Sequence, residues 1–528
     1  MKLPPPDKLG FKGYTHWREH QEASIIHMVD SPKRFSVLCQ PVGAGKSLTV
    51  AAYLKLMGYS AMYLTETKAL QKQIIEDFTS LGWTDIRGQG NYECVVDPPY
   101  TVDMGPCHEG THCPGIKEEW CTYWGAVGKA HRAQFRISNY SWWLHNQFPP
   151  IDCLVLDEGH SAADMLSEFL SAVFTQDHVK RFFHNDAPPI GGGWAHWAAR
   201  RTRELEEDTK QLKVQARGNK RLRRDLRTAR TLMLKLLRLG VAKESEWVVE
   251  KVNRGFRFDP VWPAPYRELL FREIPKVVLV SATIRPKHLE ILGIKPEEYD
   301  FHETPSTFPV TRRPVYCLPS VRLSYRSTPS ELRVWQARMD AIATGRADRK
   351  GLIHAVAYHR RNSILGGSRH RDRFVTHESG QQESALARWF SLPESSGAIF
   401  VSPSATTGLN LIGSLCRFII WAKVPFPDRR SLILKARSKI DPEYPMLMAA
   451  QDMEQGTGRA MRAEWDWCEV FINDDMFRWF VVKFRKFFTT AFLASWDRYK
   501  NVRHLPPAPD LRQMAKDVKR LRDLTKGS

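Results

Sequence analysis

A phosphate-binding loop is the first arrangement in the sequence that can do chemistry. Gln40-Pro-Val-Gly43-Ala-Gly45-Lys46-Ser47 follows the apolar run Phe35–Cys39 and precedes a helical pattern. The glycines let the backbone approach a triphosphate, and the helix N-terminus offers free N–H groups. Lys46 is expected to contact the β- and γ-phosphates, and Ser47 to bind Mg²⁺. The usual first glycine of the longer loop pattern is absent, since Gln40 or Pro41 stands in that region. The segment still predicts a nucleotide site that includes Gly43 and Gly45.

Two carboxylates end a later apolar run, in Leu154-Val-Leu-Asp157-Glu158-Gly-His160. Asp157 can hold Mg²⁺ through its water shell, and Glu158 can orient and deprotonate an attacking water molecule. An acidic strand end that only faces solvent is the alternative. The presence of the phosphate loop favours nucleotide hydrolysis.

Two arginines near the other end of the chain can complete such a site. In Gln455-Gly-Thr-Gly458-Arg459-Ala-Met-Arg462, Arg459 and Arg462 lie about one helical turn apart. They can stabilise the charge that develops on a γ-phosphate. Taken alone, the pattern also describes two exposed arginines on an amphipathic helix, but its order after the other motifs favours the catalytic role.

Four cysteines, Cys94, Cys107, Cys113 and Cys121, fall within 28 residues. Four thiolates from one short segment can close around a metal centre, and the binding energy would fold a segment poor in apolar residues. None of the closely spaced cysteine pairs typical of zinc sites occurs here, whereas an iron–sulphur cluster tolerates the wider spacing. Zinc, with His108 or His112 as a substitute ligand, and unligated thiols remain as alternatives.

Short apolar runs recur along the chain and end in polar or Gly-rich turns. Several precede longer helical patterns, as buried parallel strands with crossover helices do. We therefore predict an α/β fold with two parallel sheets, one on either side of about residue 305. The predicted strands are Phe35–Cys39, Ala61–Thr65, Cys153–Leu156, Val277–Val280, Leu352–Val356, Ala398–Val401, Phe418–Trp421 and Val470–Ile472.

Two segments interrupt this rhythm. Residues 88–128 are rich in Cys, Gly, Pro and aromatic residues without periodicity, and in 162–265 the strand signals give way to a helical pattern. Within the latter, Lys213–Arg238 carries ten basic residues and one acidic residue, which describes a solvated helix face and a phosphate-contacting surface equally well. After the Pro-rich hinge Pro506–Pro509, a basic amphipathic helix is expected to dock onto the rest of the chain.

Lys and Arg number 78 against 58 for Asp and Glu, which gives a net charge of +20. Such an excess favours a polyanionic partner over a protein that is merely basic. No apolar run is long enough to span a membrane, and no secretory leader is evident, so we expect no membrane association and a reducing, cytoplasmic location.

The motifs together resemble those of superfamily 2 helicases, and within them the XPD/DinG family of iron–sulphur helicases. The cysteines lie between the phosphate loop and Asp157, where that family carries its [4Fe-4S] domain. In addition to the segments above, the similar motifs are Trp17-Arg-Glu-His-Gln21, Leu64–Leu70, Arg87–Cys94, Val280–Thr283, Ser402–Leu411 and Lys423–Pro427.

The resemblance implies two RecA-like parallel-sheet lobes, with an iron–sulphur insertion and a helical arch in lobe one. Lobe one would comprise 1–87, 129–161 and 266–305, the cluster domain 88–128 and the arch 162–265. Lobe two would be 306–500, followed by a basic tail, 501–528. Gln21 would read the adenine, Gly408 would lie at the nucleotide, Gln455 would join the catalytic arginines, and ATP would bind between the lobes.

The implied function is ATP-dependent unwinding of DNA by a monomer that moves 5′ to 3′ on single-stranded DNA and acts at single-strand/duplex junctions. ATP, Mg²⁺ and a [4Fe-4S] cluster held by the four cysteines are the implied cofactors. The aromatic residues near the cluster suit stacking on bases and packing around a small metal core equally well; they are Tyr92, Tyr100, Trp120, Tyr123 and Trp124. Thr407 and Asn410 stand where acidic residues are common in relatives. A translocase or remodeller without unwinding, and a redox-sensing nucleic-acid-binding scaffold, are the alternatives.

Overall fold

The computed structural model describes residues 3–78, 81–105, 107, 113, 120–216, 219–324, 326–404, 411, 413–461, 466–514 and 516–517. Contacts divide the chain into two compact units. The first unit comprises Met1–Leu38, Ser47–His302 and Arg429–Pro442, and the second comprises Cys39–Lys46, Glu303–Asp428 and Glu443–Ser528. None of the described helices is long and apolar enough to cross a membrane.

The first unit is built on a seven-stranded sheet with the order β10-β1-β9-β5-β2-β4-β3. Its central strands are fully buried runs of apolar residues, as expected when helices cover both faces. Strand β5 pairs in parallel with β2 and with β9, so the carboxyl ends of these three strands lie at one edge of the sheet. The strands are β1 Phe35–Cys39, β2 Ala61–Thr65, β3 Thr84–Asp85, β4 Phe135–Asn139, β5 Cys153–Asp157, β9 Lys276–Ser281 and β10 Tyr299–Glu303.

Helices follow most of these strands. They are α1 Gln21–Asp30, α2 Lys46–Met57, α3 Lys68–Asp77, α4 Thr122–Arg132, α5 Tyr140–His145, α6 Ala162–Leu170, α7 Gln176–Phe182, α8 Trp194–Gln215, α9 Lys220–Gly240, α10 Glu268–Phe271 and α11 Pro286–Ile291.

The insertion predicted to be helical contains strands as well. The long helices α8 and α9 pack against each other, but a three-stranded antiparallel sheet of β6 Ala172–Thr175, β7 Trp247–Val252 and β8 Gly255–Pro260 lies in the same insertion. The expectation that strands vanish between 162 and 265 is therefore wrong. Charged residues such as Glu250 and Lys251 interrupt the apolar runs, and the pairing of β6 with β8 joins residues far apart in the sequence.

The second unit contains a six-stranded sheet with the order β11-β16-β15-β12-β14-β13, and its pairings are parallel. The strands are β11 Val315–Tyr316, β12 Gly351–His354, β13 Phe374–Thr376, β14 Ile399–Ser402, β15 Phe418–Trp421 and β16 Glu469–Ile472. The fold class is thus confirmed: two parallel α/β sheets lie in the two halves of the chain.

The helices of the second half are α12 Pro329–Thr344, α13 Tyr358–Gly367, α14 Gln382–Ser391, α15 Leu432–Ile440, α16 Tyr444–Thr457, α17 Met476–Lys483 and α18 Thr490–Tyr499. Thr328 and Glu331 form a capping box that starts α12. By its contacts α15 groups with the first unit. The Pro-rich hinge docks on the second unit, where Arg346 and Arg349 donate hydrogen bonds to the carbonyls of Pro506 and Pro509.

Candidate functional site

The phosphate loop joins the end of β1 to the start of α2. Gly43 and Gly45 have φ angles of 82° and 77°, a left-handed conformation that favours glycine. The N–H of Ala44 donates to the carbonyl of Pro41 at 3.2 Å, and α2 begins at Lys46. The sequence therefore supplies glycine at the two turn positions that require it, and the N-terminus of α2 follows directly.

The two predicted catalytic carboxylates stand at the end of β5. Asp157 is buried, and its backbone carbonyl accepts a hydrogen bond from Tyr140 Oη at 2.8 Å. The N–H of Glu158 donates to Asp157 Oδ1 at 3.1 Å. Glu158 itself has φ 48°, a conformation uncommon for a residue other than glycine. Because of this conformation, the backbone turns at Glu158 and the side chain does not follow the direction of strand β5.

Ser281, the last residue of β9, connects Glu158 to His160. The Ser281 hydroxyl donates to Glu158 Oε2 at 3.1 Å, and His160 Nδ1 lies 2.7 Å from Ser281 Oγ. The N–H of Thr283 also donates to Ser281 Oγ, at 3.1 Å. Because a serine hydroxyl has one proton and gives it to Glu158, the proton of the His160 contact must reside on Nδ1. The segment Val280–Thr283 is thus bonded directly to the acidic motif.

Gly159 allows the acidic motif to lie close to strand β9. A Cβ at residue 159 would lie 2.9 Å from Leu279 Cβ and 3.3 Å from its Cα. Both atoms belong to the rigid strand β9, so neither can withdraw easily. Glycine allows the acidic turn to approach β9 closely enough for the Ser281 hydrogen bonds to form.

Gln21, the predicted adenine reader, is buried at the first position of α1. Its Oε1 accepts a hydrogen bond from the N–H of Arg18 at 2.8 Å. Trp17 Nε1 donates to the carbonyl of Pro4 at 3.0 Å, which holds the preceding loop. The segment that carries Gln21 is therefore fixed by contacts within the protein.

The predicted arginine motif lies at the end of α16 in the second unit. Arg459 Nη2 donates to Gln455 Oε1 at 3.3 Å, so these two predicted residues are brought together. The phosphate-loop residues Cys39–Lys46 group with this same unit, and within it a Cβ at Gly458 would lie 3.5 Å from Val42 Cγ2. The phosphate loop and the end of α16 are thus neighbours. Arg462, and Thr407, Gly408 and Asn410, lie outside the described residues.

His354 and Trp421 support this motif and were not predicted. Their rings stack with centroids 4.2 Å apart, and Trp421 Nε1 donates to Thr457 Oγ1 at 3.2 Å. A Cβ at Gly456 would lie 2.5 Å from Trp421 Cζ2, so glycine is required here. Burial lowers the pKa of His354 to about 3, which leaves the ring neutral. Its placement depends on three separate segments, and no local motif marks it.

The turn Lys423–Pro427 is held by a buried carboxylate. Asp474 accepts hydrogen bonds from the N–H groups of Val424 and Leu323 at 3.1 and 3.3 Å. Burial raises the pKa of Asp474, and these donors oppose the rise. Lys423, on the same turn, has its pKa lowered by burial. The turn is therefore anchored to the end of β16.

Comparison with known proteins shows one matching domain and several structures of similar fold. Residues 352–491 match the family model of the helicase C-terminal domain. A solved XPD helicase aligns with a TM-score of 0.61 at 14% identity, over 89% of this chain and 98% of its own. An XPD structure in the apo form also gives 0.61, at 12% identity over 92% and 100%. The chain therefore has a fold similar to that of solved XPD helicases, and its residues 352–491 match the helicase C-terminal domain.

The same likeness extends to a third structure. Xpd4 of S. tokodaii aligns with this XPD-like chain at a TM-score of 0.57 and 12% identity, over 88% of this chain and 97% of its own. No curated protein sequence matches the chain. These comparisons confirm the resemblance to XPD-like helicases that the motifs indicated, at the level of the fold and of the C-terminal domain.

The four cysteines of this XPD-like chain lie together. Cys94, Cys113 and Cys121 are buried, and Cys107 is half-buried. Burial, followed by the neighbouring thiols of Cys113, Cys94 and Cys121, raises the pKa of Cys107 to about 11. Among the described residues, however, no group of three or more His, Cys, Asp or Glu side chains is arranged to hold a metal ion.

The basic helix α9 packs against the cysteine segment through ion pairs. Arg223 Nη1 lies 2.9 Å from Asp97 Oδ2, and Arg227 Nη1 lies 2.6 Å from Asp103 Oδ2. Both acids lie between Cys94 and Cys107. Part of the positive charge predicted to face either solvent or phosphate is thus neutralised inside the protein.

The segment Leu64–Leu70, one of the segments similar to family motifs, uses its threonine hydroxyls in hydrogen bonds within the protein. Thr65 Oγ1 donates to the carbonyl of Thr67 at 3.1 Å, and Thr67 Oγ1 caps α3 by accepting from the N–H of Leu70 at 3.3 Å. This capping role was not predicted from the sequence. Any contact with nucleic acid here must share or displace these bonds.

Proposed function

We propose that the chain is an ATP-dependent DNA helicase that moves on single-stranded DNA. The observation that carries the proposal is the hydrogen-bonded path from Glu158 through Ser281 to His160. This path joins the Glu158 carboxylate, which is suited to activate water, to the end of β9, which can respond to the state of the bound nucleotide. A net charge of +20 suits a polyanionic track.

In this mechanism the phosphate loop binds ATP through its N–H groups and the Lys46 ammonium. Ser47 Oγ and, through the water shell of the ion, the Asp157 carboxylate would hold Mg²⁺, which would neutralise charge at the phosphates. Glu158 Oε2 accepts the proton of the attacking water, and Ser281 keeps this carboxylate oriented. Arg459, steadied by Gln455, stabilises the charge on the transferred phosphoryl group, and Arg462 is proposed to assist.

Release of the phosphate changes the contacts of Glu158. This change affects Ser281 directly, because the Ser281 hydroxyl is hydrogen-bonded to Glu158. Because Ser281 ends β9 and Thr283 follows it, a shift in the Glu158 hydrogen bond alters the backbone of Val280–Thr283. This is the local step by which hydrolysis would drive movement along DNA. The proposed adenine contact of Gln21 and the contact of Gly408 with the nucleotide complete the site.

The test measures ATP hydrolysis with and without single-stranded DNA. Lys46→Ala should abolish DNA-stimulated hydrolysis, since it removes the cation that contacts the phosphates. Lys55→Ala is the matched control, because Lys55 is an exposed lysine on the same helix, α2. An unchanged rate of DNA-stimulated ATP hydrolysis in Lys46→Ala would contradict the helicase proposal.

Strand displacement separates unwinding from its rival, ATP-driven translocation or remodelling without unwinding. Duplexes with a 5′ tail, a 3′ tail or an RNA tail should be compared. We expect displacement of the 5′-tailed DNA substrate, in line with 5′ to 3′ travel. Hydrolysis without displacement of any tailed duplex would favour the rival, and displacement of the 3′-tailed duplex alone would reverse the proposed direction.

We also propose that Cys94, Cys107, Cys113 and Cys121 hold a [4Fe-4S] cluster. The support is the cysteine spacing, which lacks the closely spaced pairs typical of zinc sites and suits an iron–sulphur cluster, which tolerates wider spacing. The neighbouring thiols of Cys113, Cys94 and Cys121 contribute to the raised pKa of Cys107. Gly105 leaves room at Cys94, since a Cβ at residue 105 would lie 3.0 Å from Cys94 Sγ. A donor set of four neighbouring thiols fits a larger, all-cysteine cluster.

The cluster would tie the segment 88–128 into one rigid piece beside the DNA. Trp120 and Trp124 are exposed on it, whereas Tyr123 is buried and packs against Tyr92 with ring centroids 5.5 Å apart. The two exposed tryptophans are therefore the proposed base-stacking residues. Anaerobic purification with iron, sulphide and zinc determination tests the cluster, and stoichiometric zinc without iron would overturn it.

A further inference from the structure

The hydroxyl of Tyr63 is an unexplained polar group beside the proposed Mg²⁺ site. Tyr63 lies in β2 with its side chain fully buried. Within the described chain, its Oη makes no hydrogen bond of normal geometry. Burying an unpaired hydroxyl costs about 1–3 kcal/mol, and phenylalanine would avoid that cost. A tyrosine here therefore needs a reason.

The surroundings of Tyr63 supply one. Strand β2 pairs with β5 so that Tyr63 stands opposite Val155, two residues before Asp157. Burial and then the negative charge of Asp157 raise the pKa of Tyr63 well above its ordinary value, while the hydroxyl of Ser47 opposes the rise. Because side chains alternate along a strand, Asp157 lies on the same face of the sheet as Val155 and its partner Tyr63, so the phenol and this carboxylate share one face.

A second tyrosine, Tyr140, also contacts the end of strand β5. Its Oη donates to the backbone carbonyl of Asp157 at 2.8 Å. That bond fixes the main chain and leaves the carboxylate to other donors. The carboxylate of Asp157 accepts from the N–H of Glu158 at Oδ1.

We propose that Tyr63 is a positioning residue for Mg²⁺-nucleotide binding, relaying a hydrogen bond from Ser47 to Asp157; this rests on the proposed function. When Ser47 Oγ faces the cation with a lone pair, its proton must point elsewhere, and Tyr63 Oη accepts it. Tyr63 then donates its own proton to the Asp157 carboxylate. No proton is transferred, and each oxygen acts as donor and acceptor within its capacity.

Tyr53 provides a matched comparison within the same core. It is fully buried in α2, and its Oη also lacks a hydrogen bond of normal geometry within the described chain. Burial raises the pKa of Tyr53 as well, but the groups that follow are Cys153 and Tyr59. The two tyrosines differ in whether a carboxylate lies beside the hydroxyl, so the pair separates a positioning role from a packing role.

The experiment measures binding of a fluorescent, non-hydrolysable ATP analogue while Mg²⁺ is varied, without DNA. Tyr63→Phe should raise the Mg²⁺ concentration for half-maximal binding about five- to tenfold, the loss of one hydrogen bond of about 1 kcal/mol. Binding in excess EDTA should stay unchanged. The Tm of Tyr63→Phe should equal or exceed that of the unchanged protein, because a buried unpaired hydroxyl is removed.

Tyr53→Phe should leave the Mg²⁺ dependence unaltered. A Mg²⁺ dependence of Tyr63→Phe equal to that of the unchanged protein, or an equal loss of binding in EDTA, would overturn the inference and leave the proposed function intact. Failure of the unchanged protein to bind the analogue at any Mg²⁺ concentration would overturn the proposed function, and the inference with it.

Discussion

Ser281 Oγ donates a hydrogen bond to Glu158 Oε2 at 3.1 Å and so joins the ends of β9 and β5. Ser281 is fully buried, and the same oxygen accepts from His160 and from the N–H of Thr283. One hydroxyl therefore holds the proposed water-activating carboxylate and the motif that follows β9. Such a shared group is a direct physical link between hydrolysis and a backbone movement.

Removing this hydroxyl should impair catalysis more than nucleotide binding. In Ser281→Ala, Glu158 loses its orienting donor, and we expect kcat for ATP hydrolysis to fall about tenfold, the effect of about 1.4 kcal/mol on the barrier. The KM for ATP should change little, because the phosphate loop is untouched. Ser36→Ala is the control, since Ser36 is a buried serine of β1 whose Oγ has no partner within the described chain. Equal effects of both variants would contradict the coupling role.

Alanine in place of Gly159 should destabilise this protein. In Gly159→Ala the added Cβ would meet the Leu279 backbone, and over-packing of this kind costs about 1–3 kcal/mol. Urea unfolding and the ATPase rate should both show the loss. At Gly191 an added Cβ meets nothing within 4 Å, so Gly191→Ala is the matched control. A Gly159→Ala variant as stable as the control would show that β9 can move away.

Loss of one proposed cluster ligand should loosen its segment without unfolding the sheet. Cys121 precedes α4, and Thr122 Oγ1 donates to the carbonyl of Glu93 at 2.7 Å, next to Cys94. We expect Cys121→Ser to lose iron and to become sensitive to proteolysis within 88–128, as a segment with few apolar residues should. Cys317→Ala, at a buried cysteine of the second unit, should keep its iron. Equal iron in both variants would argue against Cys121 as a ligand.

The fully buried strands were predictable because a parallel sheet covered on both faces leaves long apolar runs in the sequence. All eight predicted strands occur, each within two residues of its predicted ends. The largely buried strand β4 was missed because Arg136 and Ser138 break its apolar run. The short or edge strands β3, β10, β11 and β13 were missed as well. Their residues are half-exposed or too few to form an apolar run, and only pairing with a neighbour makes them strands.

Local motifs likewise located the carboxylates and the phosphate loop, because these residues are close together in the sequence. The supporting groups were not foreseen for the opposite reason. Ser281 was part of a recognised motif, but its bond to Glu158 spans 123 positions. His354 and Tyr63 stand inside ordinary apolar strands, and only the packing of distant segments shows what they contact.

His354 makes the stability of the second unit depend on pH. Burial lowers its pKa from 6.5 to about 3, with the charge of Arg459 acting in the same direction. The unfolded chain therefore binds a proton between these values that the folded chain does not, so stability falls as pH decreases from 6.5 towards 3. Between neutral pH and about pH 5 the loss from this residue should reach about 2 kcal/mol.

His354→Phe should remove that part of the pH dependence while keeping a flat ring against Trp421. Urea unfolding at neutral pH and at about pH 5 measures the difference for the unchanged protein and the variant. His196→Gln, which replaces an exposed histidine of α8, serves as the control and should retain the dependence of the unchanged protein. If His354→Phe lost as much stability on acidification as the control, another group would have to account for the acid sensitivity.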